Sequence, residues 1–231
     1  MKQVERPSPN FDSRGGAPID ILVLHYTGMQ SGAAALSRLC DPAAKVSAHY
    51  MIDEDGTVYA LVPEEMRAWH AGVSCWAGAR DINARSIGIE LVNPGHEFGY
   101  RPFPAAQIAS LTELAKGIVS RHPIPAWRVL GHSDIAAMRK DDPGELFPWA
   151  QLANEGIGLW PVPVADDPGD DAVHGLLTRY GYDPDAEIKR VILAFQRHFR
   201  PARVTGMADA ETRKMLSGLI ALYDARKGER A

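Results

Sequence analysis

Four branched apolar residues in succession, Ile21-Leu-Val-Leu24, give way at once to the polar sequence His25-Tyr-Thr-Gly28. An unbroken run of this kind suits a central strand covered on both faces, because a strand with one wet face would alternate apolar with polar. The chain is therefore expected to build a helix-covered sheet, and such sheets place their sites at the carboxyl ends of strands. His25 stands at that end.

The segments that follow fit the same plan. Gly32 to Leu39 reads as a short helix, and Ser47–Ile52 and Thr57–Val62 as strands joined in a hairpin by Asp55-Gly56. His49 falls on one face of the first of these and reads as structural. Trp69-His70-Ala-Gly72 is irregular, and its indole and imidazole are suited to line a cleft. Ser86-Ile-Gly-Ile-Glu-Leu-Val92 is a further strand in which Glu90 is the odd residue. A carboxylate among Ile and Leu is costly unless paired or used, and desolvation makes it a better proton acceptor near neutral pH. Glu90 is thus a candidate general base. Over residues 104–121 the positions Ile108, Leu111, Leu114, Ala115 and Ile118 recur at helical spacing, giving an amphipathic helix that covers the sheet. Residues 1–18, rich in Pro, Gly and Ser, read as an arm preceding the fold.

Arg128-Val-Leu130 is a brief strand running into the densest polar stretch, Gly131-His-Ser-Asp-Ile-Ala-Ala-Met-Arg-Lys-Asp-Asp-Pro-Gly144. His132 and Asp142 are both competent ligands for a borderline metal such as zinc, and a catalytic zinc commonly takes three protein ligands. His25 and His132 each follow a short apolar strand, so two strand ends and one loop carboxylate converge, giving His25, His132 and Asp142 as a three-ligand set. Phe147-Pro-Trp149 opens the helix that closes this unit.

With Lys+Arg of 25 against Asp+Glu of 29, the 231-residue chain carries a net charge of −4, which argues against a nucleic-acid surface. No run approaches the roughly 18 apolar residues of a membrane span, and the amino terminus has no apolar signal region, so a cytoplasmic location is expected. Cys40 and Cys75 lack any metal or redox spacing and read as reduced packing residues.

Leu24-His25, Trp69-His70-Ala-Gly-Val73, Ser86-Ile-Gly-Ile-Glu90, Gly131-His-Ser-Asp-Ile135 and Arg139-Lys-Asp-Asp-Pro-Gly144 together resemble, in their order, the zinc-dependent N-acetylmuramoyl-L-alanine amidases. The resemblance covers roughly residues 20–150. It implies an α/β fold with a mixed central sheet flanked by helices, Zn2+ held by His25, His132 and Asp142, Glu90 and Lys140 as catalytic residues, and Trp69 and His70 toward the substrate. Lys-x-Asp-Pro-Gly is met by Lys140 to Gly144, so Asp142 rather than Asp141 is the implied ligand, and Asp141 reads as a solvated loop carboxylate. Where close relatives have Pro-Gly, this chain has Ala137-Met138, a change that bears on loop stiffness.

After Gly156 the composition shifts to Pro161-Val-Pro-Val-Ala-Asp-Asp-Pro-Gly-Asp-Asp171, read as an extended linker. Leu176, Leu177 and Tyr180 mark one helix ended by Gly181, Ile188 to Phe199 a second, and a third starts at Asp209; Lys214 to Arg230 reads as a basic solvated face. The expected units are a catalytic domain over 1–157, a linker over 158–171 and a separable three-helix domain over 172–231. The last is similar to peptidoglycan-binding three-helix domains. Taken together these imply an amidase cleaving between the muramyl lactyl group and L-alanine, with soluble muropeptides or anhydromuropeptides met during recycling as substrate. The alternatives are a non-catalytic muropeptide-binding protein, an amidase of the periplasmic wall, and a stem-peptide peptidase.

Overall fold

The computed structural model describes residues 2–229; Arg230, the end of the basic tail, lies outside the described residues, as do Met1 and Ala231. The strands are β1 (Gln3–Glu5), β2 (Phe11–Ser13), β3 (Ile21–Tyr26), β4 (Tyr50–Ile52), β5 (Val58–Ala60), β6 (Met66–Ala68), β7 (Ser86–Leu91) and β8 (Val129–Gly131). Six of them form one sheet in the order β1-β5-β4-β7-β3-β8. β3 runs parallel to β7 and β8, β4 parallel to β7, and β5 antiparallel to β4, so the sheet is mixed as expected. The arm is a correction: β1 extends the sheet beside β5, and β2 pairs with β6 in a small second sheet. Ser8 and Asn10, both buried, fasten this stretch by donating to the carbonyls of Leu39, Asp41 and Val46.

The hairpin between β4 and β5 closes where expected. Gly56 adopts φ 85° there, and a Cβ on it would lie 2.8 Å from the Ala106 carbonyl oxygen, so conformation and space both call for glycine. β4 starts later than the apolar pattern suggests, because Ser47 bonds to the Trp69 backbone instead of a neighbouring strand.

The helices are α1 (Gly32–Cys40), α2 (Ile82–Arg85), α3 (Gly95–Phe98), α4 (Ala105–Arg121), α5 (His132–Ile135), α6 (Trp149–Asn154), α7 (Val173–Tyr180), α8 (Ile188–Phe199) and α9 (Ala210–Gly228). They cover the sheet on two sides. Successive residues of β3 point to opposite faces. Leu22 and Leu24 join Ile87 and Ile89 against the buried stripe of α4 (Ile108, Leu111, Leu114, Ile118) and Leu152 of α6. Ile21 and Val23 join Leu130 in a second cluster, and its other wall is Val173 and Leu177 of α7, Val191, Phe195 and Phe199 of α8, and Leu216 of α9. Each such side chain contributes about 1.5–3 kcal/mol on burial. The three carboxyl-terminal helices therefore form the second helical layer of the sheet itself.

The connecting segment is irregular, as its composition suggests, yet it is not a free spacer. Val164 N donates to the Lys214 carbonyl at 3.2 Å, and Arg213 of α9 pairs with Asp167 and Asp170 at 2.5 and 2.7 Å. Among the described residues no helix is long and apolar enough to cross a membrane. Cys40 and Cys75 are free.

Candidate metal centre and cleft

Register places the central residues. His25 on β3 is the direct partner of Glu90 on β7, and Leu24 that of Gly131 on β8, so His25, Glu90 and His132 arise at neighbouring carboxyl ends of three parallel strands. His25 Nδ1 lies 2.9 Å from His132 Nδ1, and Asp142 Oδ2 is 3.1 Å from each. All three residues are buried, and their ligand atoms lie close enough together to hold one metal ion.

Hydrogen-bond partners assign the protons on the two rings. His132 Nε2 is 3.1 Å from the Ala71 carbonyl oxygen, which can only accept, and 3.3 Å from Arg139 Nη2, which can only donate; the shorter contact puts the hydrogen on Nε2 and leaves Nδ1 a bare lone pair. The His25 tautomer is set through His70 and Ser86. Ser86 Oγ donates its one hydrogen to the Ile82 carbonyl at 2.7 Å, and therefore accepts from His70 Nε2 at 3.1 Å. His70 Nδ1 is then bare and accepts from His25 Nε2 at 3.0 Å, which leaves His25 Nδ1 bare as well. Burial pushes the His25 and His70 imidazoles toward the neutral form, His25 down to about 4 with the neighbouring His132 adding to the shift. Burial alone would raise the Asp142 carboxyl; a proton on His132 or His25 facing it holds it well below the usual carboxylate range, and where both Nδ1 atoms are bare a cation must take that proton's place. Two imidazole lone pairs and a carboxylate thus face one another, with their N–H groups turned outward. Such lone pairs repel unless a cation lies among them, and a donor set of two nitrogens and one oxygen suits a borderline divalent metal.

Glu90 reaches the same cleft. Its Oε2 is shielded from solvent and bonds to no protein group. Burial pushes its carboxyl well above the ordinary range, Asp142 adding to the shift and the Lys140 charge opposing it. A cavity of about 390 Å³ is bordered by Trp69, His70, Glu90, His132, Lys140 and Asp142, which brings every candidate site residue except the enclosed His25 onto one wall. A second hollow of about 330 Å³ shares Tyr26, Lys140 and Asp142 with the first, so the cleft continues past Asp142.

His70 borders the cavity, but both its ring nitrogens are engaged, by His25 and Ser86, so its polar atoms orient His25 rather than meet a guest molecule. Gly88 makes room for it: a Cβ there would lie 2.5 Å from the His70 ring. Asp141 is half exposed as expected, yet it pairs with Arg197 of α8 at 2.9 Å. Sequence reasoning missed Ser86 and Tyr26. Tyr26 lines both hollows with its hydroxyl 2.9 Å from His96 Nδ1, and its place directly after His25 at a strand end is the signal that points to it.

A family model described as N-acetylmuramoyl-L-alanine amidase matches residues 15–145. The chain is 42% identical to N-acetylmuramoyl-L-alanine amidase AmiD of Escherichia coli, covering 95% of the chain and 91% of that protein. A structure of AmiD with the substrate anhydro-N-acetylmuramic acid-L-Ala-D-gamma-Glu-L-Lys superposes with a TM-score of 0.80 over 92% of the chain and 93% of AmiD. AmpDh3 from Pseudomonas aeruginosa in complex with anhydromuramic pentapeptide gives 0.80 at 34% identity, over 94% and 96%. The 1,6-anhydro-N-acetylmuramyl-L-alanine amidase AmpD of Citrobacter freundii is 35% identical over 63% of the chain and 86% of its own length.

Proposed function

The chain belongs to the N-acetylmuramoyl-L-alanine amidase family, and from that premise we propose that it is a zinc enzyme acting on soluble anhydromuropeptides. One observation carries the reading: two proton-free imidazole nitrogens and a carboxylate oxygen meet at the strand ends, with Glu90 in direct register beside His25. His25, His132 and Asp142 would hold the zinc. When bound, the metal would polarise the scissile carbonyl between the lactyl group and L-alanine and lower the pKa of water toward about 7.

The chain's own groups do the rest. Glu90, a desolvated carboxylate with an unengaged oxygen, accepts a proton from the attacking water and returns it to the leaving amine, so that one water and one amide give a carboxylate and a free amino terminus. Lys140 on the cavity wall donates to the oxyanion as it forms. Trp69, held by Ser47 Oγ at 2.8 Å from its backbone nitrogen, walls the cleft on the substrate side. The orphan carboxylate favours hydrolysis over binding alone, because a site that only captured fragments would have no use for a desolvated acceptor there.

The same proposal includes two structural units, 1–157 and 172–231, joined by 158–171, and a recycling role in the cytoplasm. Relatives solved with anhydromuramyl peptides support the substrate class. The test is product analysis on defined anhydromuropeptides. The parent should release the intact stem peptide with a free L-alanine amino group, and Glu90→Gln should keep its zinc while losing about 100- to 10,000-fold in kcat, the usual span for a general base. Near-normal turnover in that variant would remove Glu90 from the role. Periplasmic protein that cleaves isolated sacculi as efficiently as soluble fragments would replace the recycling assignment with a wall-directed one.

A further inference from the structure

The carboxyl-terminal helices reach the metal centre through a polar network that apolar packing does not require. Asp134, two residues after His132, is fully enclosed and accepts three hydrogen bonds at 2.7 Å each. One comes from Gly131 N, directly before the ligand His132. The others come from the carboxyl-terminal unit: the Tyr182 hydroxyl, just after α7, and His198 Nδ1 on α8. The His198 ring is stacked on Trp149 with centroids 3.7 Å apart, so its direction is fixed. The preceding residue of the same helix, Arg197, pairs with Asp141, which immediately precedes the ligand Asp142. The two grips are linked, since Ser133 N donates to the Asp142 carbonyl at 2.8 Å.

We propose that Tyr182 and His198 are positioning residues of the amidase: through Asp134 they set the orientation of His132, making the three-helix unit a structural arm of the metal site. Adhesion of the helices to the sheet is already supplied by the apolar cluster around Phe195 and Phe199. A buried carboxylate with its donors adds little to stability over well-packed apolar residues of similar volume; what it adds is a defined geometry. That geometry is imposed within two residues of one ligand, and the neighbouring ion pair acts within one residue of another. Partners of this kind behind metal ligands commonly alter metal affinity or activity about 10- to 100-fold.

The proposal rests on the zinc reading above, and the experiment separates the two. In full-length protein, zinc affinity is measured by chelator competition, and the cobalt-substituted form is examined by its visible d–d spectrum. His198→Phe retains the stack on Trp149 and removes the donor; it should bind zinc about 10- to 100-fold more weakly and shift the cobalt spectrum. His198→Asn restores an N–H near the Nδ1 position and should recover most of the affinity. Tyr182→Phe, which loses only a hydroxyl, should move both readouts in the same direction by less, and it decides the matter if His198→Phe does not fold. Zinc affinity within about twofold of the parent, with an unshifted spectrum, in the folded donor-less variants would overturn the proposal, since loss of a purely structural bond leaves these readouts unmoved. A parent protein that takes up no zinc would instead overturn the zinc reading beneath it.

Discussion

The two sides of the His25, His132 and Asp142 cluster are held by different parts of the chain. On the β3 side, His25 is oriented from within the sheet unit by a directional relay of His70, Ser86 and the Ile82 carbonyl. On the β8 side, His132 and Asp142 lie on a 131–144 stretch whose Asp134 and Asp141 are bound by Tyr182, His198 and Arg197, residues some 50 positions further on. A ligand on a central strand needs only its neighbours to fix a tautomer, whereas ligands on a loop take their orientation from whatever packs over that loop. The carboxyl-terminal helices are what packs there, so their place in the fold and their place in the site are the same fact.

Truncation removes the supports of the β8 side altogether. A chain ending at Gly158 loses the layer over Ile21, Val23 and Leu130 together with both grips on the loop, and it should be insoluble or, if recovered, unable to retain zinc. Circular dichroism and elemental analysis read the result. A soluble truncated protein with full zinc and turnover would make the helices an independent module, as the linker composition alone suggests.

A smaller effect sharpens the other side. Ser86→Ala removes the acceptor that fixes His70, and zinc affinity should fall about 10-fold, at the lower end of what such supporting groups contribute. Combined with His198→Phe, the two losses should add to within about 0.5 kcal/mol, because the supports share no partner. Strong coupling in that double-mutant cycle would mean that the relay and the helical arm act as one network.

Legibility in the sequence follows the same division. The apolar run at Ile21, the misplaced carboxylate Glu90 and the polar density of 131–144 are local patterns, and the sheet, the long helix α4 and the cluster of His25, His132 and Asp142 all follow from them. β1, β2 and β6 were not legible. They are three-residue strands, too short for a period-two pattern to register, and backbone pairing with a neighbouring strand creates them. Ser86, Asp134, Tyr182 and His198 were missed for another reason: each is a single polar residue with a partner 16 to 64 positions away, and no period or spacing records a contact that only the fold creates. The Pro- and Asp-rich segment misled because composition speaks to stiffness, while Arg213 and Lys214 of α9 decide where it lies.

X-ray absorption at the zinc edge of the purified protein reads the coordination by His25, His132 and Asp142 itself. One zinc per chain is expected in a shell of nitrogen and oxygen at about 2.0–2.2 Å, with the outer-shell pattern of two imidazoles and no sulfur scatterer. Absence of zinc, or a sulfur shell near about 2.3 Å drawing in Cys40 or Cys75, would contradict it.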